Sequence, residues 1–165
     1  MKYWITTDTH FGHEKIKEFC GRPDCFENKI LVNFSKMVNH EDVFIHLGDV
    51  CWGQDDMWHR KIELSMRGTK RWLIKGNHDK RTNSWYYERG WCFVGESILL
   101  KMFGKRILLS HKPQPCGNYD INVHGHLHNT GHHDSFNDGK HINFYIEHDY
   151  RPVDLRKLTE KGMFK

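Results

Sequence analysis

The feature that most constrains the fold is a series of five short apolar runs, each followed at once by polar residues. The runs cover residues 3–7, 43–47, 71–74, 106–109 and 121–123. Their length and their β-branched and aromatic content predict strands. Two longer amphipathic segments, residues 26–39 and 55–66, separate the first three runs and predict helices. Alternation of strand and helix indicates an α/β protein with parallel strands.

The second half of the chain follows a different pattern. Residues 98–102 and 106–109 flank Phe103-Gly104-Lys105, which predicts an antiparallel hairpin. A further strand is predicted at 141–146, and Arg151-Pro152 then breaks the chain before a short helix that carries Leu155 and Leu158. We therefore predict one domain over residues 1–165, of class α/β, with two packed mixed β-sheets flanked by helices.

Composition narrows the class of protein. No apolar stretch approaches the length of a membrane span, and the N-terminus has no leader pattern, so we expect a cytoplasmic protein with no membrane contact. Five cysteines without a CxxC pair favour neither a disulfide framework nor a thiolate zinc site. A net charge of +4 and no groove-entering motif argue against sequence-specific binding of nucleic acid. The 14 histidines are the unusual feature, because histidine is the commonest metal ligand.

The polar residues at the strand ends form a candidate site. They are Asp8, His10, Asp49, Asn77, His78, Asp79, His111, His126 and His128. Ligands of α/β sheets bind beyond the carboxyl ends of the strands, so these residues should converge. On an extended segment, Asp8 and His10 would project to the same side because they are two positions apart. Carboxylate and imidazole groups without a thiolate suit Mn²⁺, Fe, Zn²⁺ or Ni²⁺.

In order, the blocks around these residues are Asp8-Thr9-His10, Gly48-Asp49, Gly76-Asn77-His78-Asp79, Ser110-His111 and Gly125-His126-Leu127-His128. The ordered set resembles the calcineurin-like metallophosphoesterase superfamily, whose blocks are DxH, GD, GNH(D/E), H and GHxH. The resemblance implies a four-layer α/β/β/α sandwich and two divalent metal ions, with Mn²⁺ favoured over Fe, Zn²⁺ or Ni²⁺. It also implies that Asp8, His10 and His128 bind one ion, that Asn77, His111 and His126 bind the other, and that Asp49 bridges both.

The same resemblance implies how the site works. A hydroxide that bridges the metals would attack the phosphorus, and His78 would contact the phosphate and protonate the leaving group. Asp79 would orient His78 through a hydrogen bond to its other ring nitrogen. Asn77, Arg81 and His13 complete the expected substrate contacts; plain solvation is the alternative for Arg81, and a helix start is the alternative for His13.

The five blocks do not identify the substrate. The chain is close to a bare catalytic core, which suggests an open cleft and favours a phosphodiesterase acting on small or nucleotide-derived diesters. A phosphomonoesterase with the same site is the alternative. Trp52 and Trp85 could stack on a base, although packing is the simpler role. A non-catalytic scaffold, like the retromer subunit that resembles this family, is disfavoured because every ligand position is intact. The oligomeric state is not predicted.

Overall fold

The computed structural model describes residues 1–129 and 138–161, apart from the side chain of Lys161. His132 and His133, two of the 14 histidines, lie outside this range. The elements, in chain order, are β1 (Tyr3–Thr6), α1 (Ile16–Cys20), α2 (Phe26–Met37), β2 (Val43–His46), α3 (Asp55–Ser65), β3 (Lys70–Ile74), α4 (Asn83–Tyr87), β4 (Trp91–Gly95), β5 (Ser97–Met102), β6 (Lys105–Ser110), β7 (Ile121–His124), β8 (His141–Asn143), a 3-10 helix (Ile146–His148), β9 (Val153–Asp154) and α5 (Leu155–Lys161).

These strands form two mixed sheets. The first has the order β4-β3-β2-β1-β9, in which β1 to β4 are parallel and β9 is antiparallel to β1. The second has the order β5-β6-β7-β8, with β5 antiparallel to β6 and the other pairs parallel. Two mixed sheets with helices confirm the predicted α/β class.

Alternation along the central strands explains how both faces of the first sheet are buried. In β2, Ile45 joins a cluster that also takes in Leu109 and Val123 of the second sheet, so this cluster lies between the sheets. Its neighbour Phe44 points to the other face and packs with Phe34 of α2 at a ring-centroid distance of 4.9 Å. Side chains of a strand alternate between faces, and a parallel sheet needs apolar residues on both.

The predicted hairpin between β5 and β6 is present. Met102 pairs with Lys105, so the turn consists of Phe103 and Gly104 alone, and both have positive φ. This geometry is that of a two-residue turn whose twist matches the flanking strands.

The strand predicted at 141–146 is shorter than expected. It ends at Asn143, and the chain then forms the 3-10 helix Ile146–His148. Four elements were not predicted: α1, α4, β4 and β9. Each is five residues or shorter, and so has too little length to show a period in the sequence. Within the described residues, no helix combines the length and apolar character that crossing a bilayer requires.

Candidate metal centre

The loops after β1, β2, β6 and β7 meet at one edge of the two sheets. The backbone N–H of His10 donates to the carbonyl oxygen of Asp49 at 3.0 Å. Within the second sheet, the N–H of Gly125, after β7, donates to the carbonyl oxygen of His111, after β6, at 3.0 Å. The N–H of His126 donates to Asp8 Oδ2 at 2.9 Å, which joins the second sheet to the first. The predicted convergence of strand ends is therefore found in the structure.

The backbone at this edge is left-handed rather than extended. Positive φ values occur at Asp8 (48°), His10 (45°), Asp49 (56°), His126 (69°) and His128 (49°). Such values are uncommon outside glycine and cluster where function requires them. The prediction that Asp8 and His10 face the same side because their segment is extended is therefore wrong in its reason. Asp8 and His10 are instead left-handed on either side of Thr9, and their side chains approach to 3.8 Å.

Asp8, His10 and His128 form what we call the first half-site. His10 Nε2 lies 3.8 Å from Asp8 Oδ1, and His128 Nε2 lies 3.7 Å from the same oxygen. Asp8 Oδ1 and both ring nitrogens of His10 are buried without a hydrogen-bond partner among the described residues. A buried polar atom left unpaired costs about 1–3 kcal/mol. A cation between these atoms would remove that cost, so the donor set fits a metal ion.

Asp49, His111 and His126, together with Asn77, form the second half-site. Asp49 Oδ2 lies 3.4 Å from His111 Nε2, and Asn77 Oδ1 lies 3.1 Å from the same nitrogen. His111 Nδ1 donates to the carbonyl oxygen of Leu47 at 2.8 Å, which leaves Nε2 to face the centre. One carboxylate, two imidazoles and an amide oxygen suit a divalent transition metal.

Asp49 stands between the half-sites. Its Oδ2 is 3.7 Å from His10 Nε2 in the first half-site and 3.4 Å from His111 Nε2 in the second. This position is the one that a bridging carboxylate would need. Burial raises the pKa of Asp49, but the hydrogen bond and charge of His111 outweigh burial, and the pKa is lowered overall. The carboxylate is therefore ionised at neutral pH.

Within each half-site, one histidine has a lowered pKa and the other a raised pKa. Burial lowers the pKa of His10 to about 2, so its imidazole is neutral, as a metal ligand must be. Burial also lowers the pKa of His111, but its hydrogen bond to Asp49 and the charge of Asp8 raise the pKa to about 9. A metal ion at the second half-site would displace that proton, so metal binding there should release one.

His78 lies at the open side of the centre. Its backbone N–H donates to Asp49 Oδ1 at 2.9 Å, and its ring Nε2 is 3.8 Å from Asp49 Oδ2. The side chain is 35% exposed, so a substrate can reach the ring. Trp52 lies beside it, with ring centroids 4.7 Å apart, and stacks on His13 at 4.5 Å. We call these three residues the aromatic rim. His13 also lies just before α1, because the N–H of Ile16 donates to the carbonyl oxygen of His13 at 3.1 Å, so its substrate contact stays a prediction.

Asp79 has different contacts from those expected. Instead of bonding to the ring of His78, its carboxylate accepts backbone N–H groups from Asp49 at 2.8 Å, Val50 at 3.2 Å and Gly76 at 2.8 Å. These three donors engage both oxygens of a buried carboxylate. Asp79 therefore fixes the loops that carry Asp49 and His78, and its contacts are with the backbone rather than with the ring of His78.

The predicted substrate contact Arg81 lies further out. Its Nε donates to Asp55 Oδ2 at 2.7 Å, and its guanidinium lies 5.4 Å from the ring centroid of Trp85. Trp85 therefore packs against arginine. Trp52 is 48% exposed at the aromatic rim.

Two residues near the first half-site were missed by the sequence analysis. Arg22 and Glu147 form an ion pair whose side chains are 0% and 3% exposed. Burial raises the pKa of Glu147, but hydrogen bonds and charge from His128 and Arg22 outweigh it and lower the pKa to about 2. No pattern in the sequence marks the pair, because 125 positions separate its members.

Known proteins are similar to this chain in sequence and in fold. The model of the calcineurin-like phosphoesterase family matches residues 1–159. An uncharacterized protein of Methanocaldococcus jannaschii is 28% identical over 179 positions, which cover 98% of this chain and 93% of the relative. A protein of unknown function from Aquifex aeolicus matches with a TM-score of 0.79 and 28% identity, over 95% of this chain and 97% of that one.

More distant structures share the fold alone. The Pseudomonas putida nuclease MPE matches with a TM-score of 0.53 and 22% identity, over 76% of this chain and 61% of that one. An archaeal phosphodiesterase matches with a TM-score of 0.50 and 17% identity, over 76% and 73%. The family match covers residues 1–159 and confirms the resemblance that the five blocks indicate. The chain belongs to the calcineurin-like phosphoesterase family.

Proposed function

We propose that this chain is a binuclear metal-dependent phosphodiesterase that hydrolyses small or nucleotide-derived phosphodiesters. The observation that carries the proposal is the position of Asp49, whose Oδ2 lies within 3.7 Å of His10 Nε2 and 3.4 Å of His111 Nε2. Two adjacent donor sets that share one carboxylate suit a pair of divalent cations. Mn²⁺ is the favoured ion, because the donors are imidazole, carboxylate and amide groups without a thiolate.

A bound pair of such ions supplies Lewis acidity and an activated water at neutral pH. The residues of the chain set the charge around it. Asp8 and Asp49 offset two positive charges, which leaves a centre that attracts a phosphate ester. Asn77 places a neutral amide beside His111 and adds no further negative charge to repel the substrate.

His78 is the proposed proton donor to the leaving oxygen. Its ring lies beside the bridging position of Asp49 and is partly exposed, so it can reach both the phosphate and its leaving group. The bond from its backbone N–H to Asp49 Oδ1 fixes the main chain beneath the ring. General-acid catalysis of this kind contributes about 10²–10⁴-fold.

The aromatic rim favours a nucleotide-derived diester. It borders the centre on the side of His78, and the rings of His78 and Trp52 are partly exposed. Trp52 offers a ring on which a base can stack, which suits a nucleotide-derived substrate. Arg81 is the proposed outer contact for a second phosphate, although it would first have to leave Asp55.

The test compares two leaving groups in metal-stripped protein with Mn²⁺ added back. A His78→Ala variant should lose about 10²–10⁴-fold of its turnover on a dinucleotide, whose leaving group is a poorly acidic alcohol. It should lose much less on bis-p-nitrophenyl phosphate, because nitrophenolate leaves without a proton. His40→Ala is the matched control, since His40 is an exposed histidine that contacts Glu41.

Three outcomes would contradict the proposal in different ways. Faster turnover of p-nitrophenyl phosphate than of the diester would make the protein a phosphomonoesterase. An equal loss of turnover on both diesters in the His78→Ala variant would show that His78 is not the general acid. No turnover with Mn²⁺, Fe²⁺, Zn²⁺ or Ni²⁺ would favour a binding scaffold.

A further inference from the structure

We propose that Arg22 and Glu147 are positioning residues that set the metal affinity of the first half-site. The inference rests on the binuclear function proposed above, because it concerns one of its two ions. Neither residue belongs to the five blocks, and neither points to the open side of the centre. Their side chains lie behind the first half-site and are closed off from solvent.

Arg22 connects to the first block through the main chain. Its Nη1 donates to the carbonyl oxygen of Thr9 at 2.7 Å, and its Nη2 donates to that of Asp8 at 2.6 Å. These carbonyls belong to the left-handed segment that presents Asp8 and His10. The guanidinium also lies 5.1 Å from the ring centroid of Phe26, so packing fixes its plane. One side chain thus holds the strained backbone that carries two of the three candidate ligands.

Glu147 extends this connection to the third candidate ligand. Its Oε1 accepts Arg22 Nε at 3.0 Å and also contacts Nη2. The same oxygen lies 3.1 Å from His128 Nδ1, which donates its proton to the carboxylate. With Nδ1 held in this way, Nε2 of His128 faces Asp8 Oδ1 at 3.7 Å. A carboxylate on the far nitrogen of a histidine ligand fixes both its tautomer and its ring orientation.

Stability alone is a poor explanation for the pair. Removing two charges from water costs several kcal/mol for each ion, and their attraction often only offsets that cost. The contacts of Arg22 and Glu147 instead end on the main chain of Asp8 and Thr9, next to His10, and on the ring of His128. Cys20 lies in the same corner, within 4.8 Å of donor atoms of His128 and Glu147. The cationic guanidinium already neutralises Glu147 there, so the corner supports the first half-site and does not hold a third ion.

The test measures metal binding directly. Metal-stripped protein is dialysed against a series of Mn²⁺ concentrations, and bound metal is counted by elemental analysis. Glu147→Gln keeps an acceptor for Arg22 and His128 but loses the charge, and should weaken one of two Mn²⁺ sites by about 10-fold. Glu147→Ala loses the contact as well and should weaken that site by about 100-fold. Arg106→Met, which breaks the exposed pair with Asp120, should leave both sites unchanged.

Paramagnetic resonance provides a readout that a purely structural role would not move. Two adjacent Mn²⁺ ions give a coupled signal, and a lone ion does not. Glu147→Gln at an intermediate Mn²⁺ concentration should lose the coupled signal while it still holds one ion. Adding His111→Asn to this variant should remove the remaining ion, because that ion sits in the second half-site.

Folding defects are separated by a double variant. Arg22→Met alone removes the cationic partner of Glu147 and the donor to two backbone carbonyls, and is expected to destabilise the fold. Arg22→Met with Glu147→Gln removes the buried charge as well, so it should recover part of the lost urea midpoint and still bind only one ion. A double variant that folds and binds two Mn²⁺ with wild-type affinity would overturn the positioning role. Wild-type protein that binds no pair of ions would overturn the binuclear function itself.

Discussion

The two half-sites are held in place by different kinds of contact. The first, formed by Asp8, His10 and His128, rests on a buried ion pair between segments 125 positions apart. The second, formed by Asp49, His111, His126 and Asn77, rests on backbone groups of adjacent loops, such as the carbonyl oxygen of Leu47 that accepts from His111. The first therefore depends on a buried charge pair and the second on hydrogen bonds to the main chain of loops that meet at the site.

Because of this difference, the two half-sites should respond to different kinds of substitution. A change of charge far along the chain can weaken the first half-site without touching a candidate ligand. The second half-site is sensitive to backbone shifts, because Asp79 binds the N–H groups of Asp49, Val50 and Gly76. Substitutions near the first half-site should thus be able to change metal affinity without changing the free energy of unfolding. Substitutions near the second half-site should change both.

The largest expected effect comes from the carboxylate that belongs to both half-sites. Asp49→Asn keeps an acceptor for the N–H of His78 but removes the charge that the two ions would share. We expect Mn²⁺-dependent diester hydrolysis to fall by about 10³-fold, since a metal ion contributes several kcal/mol to the transition state. Bound Mn²⁺ should fall at both sites. Asp8→Asn should reduce bound Mn²⁺ at one site only. If both variants lost the same amount of bound Mn²⁺, Asp49 would not be a bridging ligand.

A matched pair of glycine variants tests the two half-sites by steric means. A Cβ at Gly125 would clash with Thr7 Oγ1 and Asp8 Oδ2, and a Cβ at Gly76 would clash with the carboxylate of Asp49. Overpacking of this kind costs about 1–3 kcal/mol.

Gly125→Ala should therefore weaken the Mn²⁺ site that Asp8→Asn weakens, whereas Gly76→Ala should weaken both sites. Urea unfolding of the metal-free proteins and Mn²⁺ dialysis provide the measurements. If both variants lost the same single ion, the contrast between the half-sites would fail.

Asp79→Asn tests the backbone support of the second half-site. The amide can accept at one oxygen only, so at least one of three backbone N–H groups loses its partner. We expect a loss of about 2 kcal/mol in the free energy of unfolding of the metal-free protein, measured by urea denaturation. If Asp79 acted instead on the ring of His78, stability would be unchanged and only turnover of the dinucleotide would fall.

The smallest effect is expected outside both half-sites. Thr82 caps α4, where its hydroxyl accepts the N–H of Trp85. Thr82→Ala should cost about 1 kcal/mol of stability, as the loss of a helix cap does. Mn²⁺ affinity at both sites should stay at the wild-type value. A change in either affinity would show that coupling in the fold extends beyond the contacts described for the two half-sites.

Much of the fold was predictable because its signals are local. The runs of β1, β2 and β3 are marked by β-branched and aromatic residues that end in polar ones, and α2 has the stripe of a helical period. The elements α1, α4 and β9 were not predicted, since helices of five residues and a strand of two are too short to carry such a signal. The 3-10 helix Ile146–His148 replaced the end of a predicted strand, and this turn is what places Glu147 beside His128.

The sequence by itself determined which polar residues gather at the edge of the sheets, because strand ends are marked locally and parallel strands bring their carboxyl ends together. It did not determine how they are held. The left-handed backbone at Asp8 and His10, the loop contacts of Asp79 and the pairing of Arg22 with Glu147 came only with the tertiary structure. The physical reason is that a hydrogen bond or an ion pair depends on distance in space, and residues far apart in the chain leave no periodic mark of their contact.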